Sequence, residues 1–258
     1  MFNMQISSVS NTNLQNTANR LSTGLRINRA ADDAAGMAIA NVIESQVRGL
    51  NQGLDNTASM QNLIRTAEGG LNTISDSLHR IRELSVQAAN TGIHGAHERE
   101  IIQFEIDQLM DHINMTSRNV EFNRMPLLDG SYQDMHTASW ADGSGASVSI
   151  RDASVISMGL RGYDVRGDFD LRVLDAALDQ VNAQRAELGA LSNRFDHTME
   201  AVSVASLNLA SARSRIVDAD MALSLMEHNQ ERILQQYQLM AQRRQRENEE
   251  QGMLSIMR

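Results

Sequence analysis

The stretch Leu174 DAALDQ Val181 NAQRAE Leu188 GALSNR Phe195 DHTMEA Val202 SVASLN Leu209 ASARSR Ile216 carries an apolar residue at every seventh position. Read as the a row of a heptad, it has Ala177, Gln184, Leu191, Thr198, Ala205, Ala212 and Ala219 as its d row, mostly small side chains that let helices approach closely. The spacing predicts one helix of about 45 residues, roughly 65 Å long at 1.5 Å per residue. A helix several times the ordinary globular length has no compact core to fold around. It requires a partner of similar length, and the small d row favours helices packed side by side in a rod.

The partner lies in the first half. From Gly36 to Asn90, Ile43, Val47, Leu50, Leu54, Ile64, Ala67, Leu71, Ile74, Leu78, Ile81 and Leu84 recur at steps of three and four residues, interrupted near Thr57 and Gln61. Gly69 and Gly70 weaken this helix locally, by about 1 kcal/mol each. Asp32 and Asp33 stand before it as helix caps do, and this explains the pair better than acid or base chemistry, because neither lies in an identifiable pocket. After a turn at Thr91, Gly92 and Gly95, a shorter helix from Glu98 to Arg118 places Ile102, Ile106, Leu109 and Ile113 on one face. Residues 1–25 form a weak, little-charged helix, and a last helix runs from Met221 to Arg258.

Pro126 is expected to end the helical half. Between it and Asp168 fall the strand and turn signals: Asp129-Gly130, Asp142-Gly143, the alternating Ser147-Val148-Ser149-Ile150, and Gly159, Gly162 and Gly167. The plan is nearly palindromic, from terminal helix through long helix and small β centre to long helix and terminal helix, so the chain ends are expected together at one end of the rod. The fold class is mainly α: a long antiparallel coiled-coil rod with a small β-hairpin region at 126–168. The terminal helices, 1–32 and 217–258, form one domain, and 33–216 forms the other.

Composition narrows the function. The chain has 258 residues, 41% hydrophobic and 3% aromatic, with one proline, so its core is aliphatic. A net charge of -9 with no basic stripe argues against nucleic acid as a partner. All 23 basic residues are arginine. Cysteine is absent, which excludes disulfides and thiolate metal sites. The first residues lack the charged and apolar regions of a cleaved leader, and no stretch is long enough to span a bilayer.

Several motifs together identify a resemblance. The run Arg20–Gly36, RLSTGLRINRAADDAAG, is similar to the N-terminal signature of bacterial flagellin, as are TAEGG at 66–70, IRELSVQAAN at 81–90, and EFN at 121–123 leading to LLDG at 127–130. The C-terminal half adds QRAELGA at 184–190, NRF at 193–195, SARSRI at 211–216 and DAD at 218–220. These cover most of the chain outside about 131–168, in the family's order.

The resemblance implies a structural subunit of the flagellar filament, exported unfolded through the flagellum's own channel and polymerised at the tip, outside the cell. It implies an inner tube built of the terminal helices, surrounded by the long helices and hairpin region, with the outer variable domains of larger flagellins missing. The partners it implies are other copies of the chain, an export chaperone, the filament cap and hook–filament junction proteins, with no nucleic acid, membrane or cofactor. Terminal helices that are weak alone suit this role, since they order only where neighbours bury their apolar faces. Assembly of the terminal domain falls to Leu21, Leu25, Ile233, Leu234, Leu254 and Ile256. Helix packing falls to the a row with Ile74, Leu78 and Ile81. Arg80, Leu84 and Glu105 match family positions that contact the innate toll-like receptor of animal cells, although Leu84 also suits helix packing.

Two departures stand out. The first helix is about ten residues shorter than is usual in the family. The uncharged, proline-containing stretch near the family's C-terminus is replaced by RRQRENEE at 243–250, in which Arg243 with Glu247 and Arg246 with Glu250 fit helical pairing. That tail keeps a minor flagellin or a hook–filament junction adaptor as the alternative, whereas IRELSVQAAN and the EFN to LLDG series favour flagellin.

Bland readings win elsewhere. His94 and His97 lie in a glycine-rich turn without a third ligand, and no metal is expected. No nucleophile with a placed base and no phosphate loop occurs, so no catalysis is expected. Met37, Met110, Met221 and Met226 read as fillers of aliphatic packing. Asn114-Met115-Thr116 is an accidental glycosylation pattern on a helix, and Ser and Thr in 131–157 are better candidates for surface modification.

Overall fold

Among the described residues, five helices and four short strands follow one another. They are α1 (Phe2–Thr23), α2 (Ala34–Ala89), α3 (Ala96–Asn119), β1 (Glu121–Phe122), β2 (Met125–Pro126), β3 (Met135–Ala138), β4 (Gly145–Val148), α4 (Leu171–Val217) and α5 (Met221–Ile256). The structure, a computed structural model, describes the backbone of residues 2–92 and 95–256 and the side chains of 12–92 and 95–248. The helix read from the heptad row is there with a turn added at its start, and the mainly α fold with a small β region is as expected. Two compact units divide the chain: residues 1–47 with 207–258, and residues 48–206.

The boundaries of these units lie inside α2 and α4. The reason is local packing. Arg213 pairs with Glu44 at 3.0 Å, the Arg26 amide donates to the Val217 carbonyl at 2.6 Å, and Leu25 bridges to Asp218. The start of α2 and the end of α4 therefore belong with the turn after α1. In that turn Asp33 caps α2, its Oδ1 accepting from the Gly36 amide at 2.9 Å. The Asp32 carboxylate accepts from the amides of Arg29 and Asn28, which hold its pKa below the usual value. A carboxyl shifted this way stabilises the fold above its unfolded pKa, and that contribution is lost as pH falls through the lowered folded value.

The larger unit contains the main core. Leu63, Ile64, Ala67, Leu71, Ile74, Leu78, Ile81, Leu84 and Ala88 of α2 are buried at the three- and four-residue steps of one helix face. They meet Ile102, Ile106, Met110 and Ile113 of α3 and Leu174, Val181, Leu188 and Phe195 of α4. The helix pair is antiparallel. Asn51 bonds Ser206, Gln61 bonds Asp196 and Arg82 bonds Asp175, so each advance along α2 is matched by an equal retreat along α4. The polar d position Gln184 is 2% exposed, and its amide donates to the Arg151 carbonyl at 3.2 Å. It ties an irregular segment to the helix where an apolar residue would leave that carbonyl without a partner.

Pro126 does not end the helical half. α3 already stops at Asn119, and Pro126 is in β2, paired with Glu121 across a tight hairpin. The two residues of its turn, Asn123 and Arg124, both take positive φ, as a hairpin with the twist of a primed turn requires. The β centre thus starts earlier than the sequence suggested and consists of two separate antiparallel pairs, β1 with β2 and β3 with β4. Buried polar side chains attach it to the helices: Ser117 donates to the Leu128 carbonyl at 2.8 Å, Gln103 bonds both Tyr163 and Val165, and Thr57 donates to Ser139 at 2.9 Å.

Gly53 faces that last contact. A Cβ there would fall against the Ser139 carbonyl oxygen, so the glycine sets how closely the β3–β4 hairpin approaches α2. Alanine in mid-helix gains up to about 1 kcal/mol of propensity, while overpacking against backbone costs about 1–3 kcal/mol. Gly53→Ala should therefore lower the urea midpoint; a raised midpoint would show that the hairpin can retreat freely.

Candidate assembly surface

Within the smaller unit, α1 and α5 lie against each other with an unusual division of side chains. Among the described side chains of α5, those at least half-buried are Ser224, Glu227, His228, Glu231, Gln235, Gln238 and Gln242, a polar row at three- and four-residue steps. Its contacts to α1 are polar as well: Thr17, 6% exposed, hydrogen-bonds the His228 ring at 3.2 Å, and Arg20 stands 3.9 Å from Glu227. The opposite face of α5 is apolar. Met226, Ile233, Tyr237 and Met240 follow one another at steps of seven, four and three, and are exposed by 63, 53, 69 and 61%. Leu223, Leu225, Leu234 and Leu239 flank this row and are exposed too.

An isolated helix pair is expected to hide its apolar stripes and leave polar ones wet. Here the arrangement is reversed. The Thr17–His228 bond and the Arg20–Glu227 pair lie in the polar seam beside half-buried Leu14 and Leu21 of α1, and the apolar row of α5 is left for something else to cover.

The residues singled out from sequence divide accordingly. Ile233 and Leu234 stand exposed on the apolar side, Leu21 and Leu25 are half-buried within the unit, and the side chains of Leu254 and Ile256 lie outside the described residues. Of the a row, Leu174, Val181, Leu188, Phe195 and Val202 are buried, whereas Leu209 and Ile216 are half-buried. Ile74, Leu78 and Ile81 are fully buried, so they hold the core and present no outer surface. Sequence reasoning missed Tyr237, Leu239 and Met240, and it took Met221 and Met226 for packing residues although both are exposed. The spacing of Met226, Ile233, Tyr237 and Met240 was the available signal. It was masked because α5 carries apolar residues on several sides.

In the larger unit Arg80 and Glu105 meet across α2 and α3 at 2.8 Å, and Glu83 adds a second carboxylate at 3.2 Å. The hydrogen bonds that Arg80 donates to Glu105 first, and to Glu83 next, raise its pKa above the usual value. Both partners are about half exposed. Leu84 is not: at 2% exposure it is packed in the core, which corrects its place in the expected receptor contact. Of the three positions only the ion pair presents accessible side chains. His97 is exposed and 3.9 Å from Glu100, and His94 lies outside the described residues. No helix among the described residues is long and apolar enough to cross a membrane.

Comparison with known proteins gives this surface its context. Residues 1–133 match the family model for the bacterial flagellin N-terminal helical region, and residues 171–254 match that for the bacterial flagellin C-terminal helical region. The chain belongs to the bacterial flagellins. Flagellin FlaB2 of Treponema pallidum is 38% identical over 92% of this chain and 90% of its own length. The flagellar filament 33 kDa core protein of Treponema phagedenis is 39% identical, over 88% and 87%. The flagellin of Bacillus subtilis is 38% identical, over 89% and 88%. Among solved structures, the crystal structure of Bacillus cereus flagellin aligns with a TM-score of 0.51 at 29% identity, covering 62% of this chain and 94% of that one. A putative flagellar hook-associated protein from Vibrio parahaemolyticus aligns at 0.60 with 16% identity, a likeness of fold alone. This flagellin is thus a structural subunit of the flagellar filament, and its family is one of structural proteins. Its activity is assembly into a polymer, so the surfaces that matter are extended helix faces.

Proposed function

We propose that copies of this flagellin pack against one another across the outward face of α5, and that α1 and α5 form the inner tube of the filament. The observation that carries the reading is the reversed helix pair: Ser224, His228 and Glu231 turn toward α1, while Met226, Ile233, Tyr237 and Met240 turn away. Full burial of a Met or Ile side chain contributes roughly 1.5–3 kcal/mol. A contact that does not close on itself repeats this at every subunit and yields an open helical array.

The absence of native cysteine makes the test direct. A single Ile233→Cys reacts with a maleimide in the monomer and should be protected once monomers have grown from filament seeds. Equal labelling of monomer and filament would remove α5's outer face from the interface.

The finer features implied by the family belong to this reading. The subunit leaves the cell through the flagellar secretion system, escorted by an export chaperone that meets the terminal helices, and works outside the cell between the junction proteins and the cap. The exposed pair of Arg80 and Glu105 supports a contact with the innate toll-like receptor, without Leu84. A reporter-cell assay on folded monomer should respond, and Arg80→Ala should reduce the response by about tenfold, the loss of one charged contact of 1.4 kcal/mol. Silence from the parent monomer would end the receptor reading.

A further inference from the structure

The chain has 15 methionines. Among the described residues the well-exposed ones are Met115, Met221, Met226 and Met240, at 61, 49, 63 and 61%. Three of these are in α5, and Met226 and Met240 stand two heptads apart in the outward row with Ile233 and Tyr237. A thioether in that row is apolar and adaptable, so it suits a packed contact. It differs from leucine in one respect. An exposed sulfur reacts with peroxides, and the sulfoxide it becomes is a polar, chiral group that disrupts methionine-lined interfaces.

We propose that Met226 and Met240 are modification sites through which a peroxide stops a free subunit from entering the filament. The inference rests on the assembly reading above. A sulfur lone pair attacks one peroxide oxygen; the S–O bond forms as the O–O bond breaks, sulfur gives up two electrons, and the peroxide is reduced to water. Reversal needs two thiols, which become a disulfide and release water as the thioether is restored. Two new sulfoxide oxygens put strong polar acceptors into a contact suited to thioethers, and burying a polar group left unbonded opposes that contact. The same contact covers both sulfurs once the subunit is assembled. The chemistry therefore acts on free subunits and spares those in place.

The full-length chain is treated with hydrogen peroxide, the sulfoxides are located by peptide mass mapping, and extension of filament seeds is followed. Oxidation at both positions should cut the extension rate at least about tenfold, and reduction by a methionine sulfoxide reductase should restore it. The Met226→Leu/Met240→Leu variant, whatever its own untreated rate, should show no further loss of extension after the same treatment, while Met115→Leu should lose extension as the parent does. Met226→Gln/Met240→Gln, a polar stand-in that needs no oxidant, should extend poorly from the outset. Undiminished extension by a parent carrying both sulfoxides, loss of helical circular dichroism on oxidation, or a Leu variant as sensitive as the parent would each overturn the inference and leave the assembly reading standing. An untreated parent that fails to extend seeds, or sulfurs that oxidise as fast in filaments as in monomers, would overturn the assembly reading and this inference with it.

Discussion

A subunit carrying Ile233→Asp should unfold at the same urea concentration as its parent and add to no filament seed. Ile233 is 53% exposed on the outer face of α5, so a carboxylate there stays hydrated in the isolated chain and the monomer loses almost nothing. In a packed interface the same carboxylate is taken from water without a partner, at a cost of several kcal/mol. Every 1.4 kcal/mol is a factor of ten in affinity. The penalty recurs at each added subunit, so growth stops instead of slowing. Seed length measured by electron microscopy beside the urea curve separates the outcomes. Filaments of parental length from the variant would mean that copies meet over another surface, and a lowered urea midpoint would mean that Ile233 packs within the monomer.

The second large effect is in the core. Phe195 is completely buried and heads the fully buried side chains by volume, in contact with the cluster that α2, α3 and α4 share. Truncating a buried aromatic to alanine removes its transfer free energy and leaves a cavity, together about 3–5 kcal/mol. Domains of this kind are commonly stable by only about 5–15 kcal/mol. Phe195→Ala should therefore lose a large part of the stability, read as a drop in the urea midpoint with an unchanged slope. Val202→Asp, a charge at 1% exposure, should be at least as damaging, whereas Leu209→Asp should be milder in the monomer because Leu209 is only half-buried. A loss below about 1 kcal/mol for Phe195→Ala would show that the helices close over the gap.

The contrast between Phe195 and Ile233 marks the difference between a residue that makes the subunit and one proposed to join subunits. Both are apolar members of helical stripes, and nothing in their own spacing tells them apart. For α4 the stripe was enough: the a row from Leu174 to Val202 is buried as read, because α2 and α3 offer apolar faces to it. For α5 the nearest helix is α1, rich in Asn, Gln, Ser and Thr, and it takes the polar side of α5. Leu84 shows the same ambiguity in reverse, since a residue implied as a contact for another protein is held in the core by α2's own periodicity. Pro126 misled for a different reason. A proline prevents helix, but it does not say where the strands begin, and here Pro126 is itself paired in a hairpin that opens at Glu121.

The sequence by itself determined the helices, their lengths, the caps such as Asp33, the antiparallel pairing demanded by the length of α4, and membership in the flagellins through motifs spread over both halves. These are properties of local period and of residue identity, which need no knowledge of what lies across the space between elements. Only the tertiary structure decided which face of α5 looks outward, that Gln184 and Gln103 serve buried carbonyls and amides of the β centre, that Gly53 sets the hairpin's distance from α2, and that the compact units divide inside α2 and α4. Each of these depends on which two distant segments are brought together, because burial belongs to a pair of surfaces and a sequence states only one of them at a time.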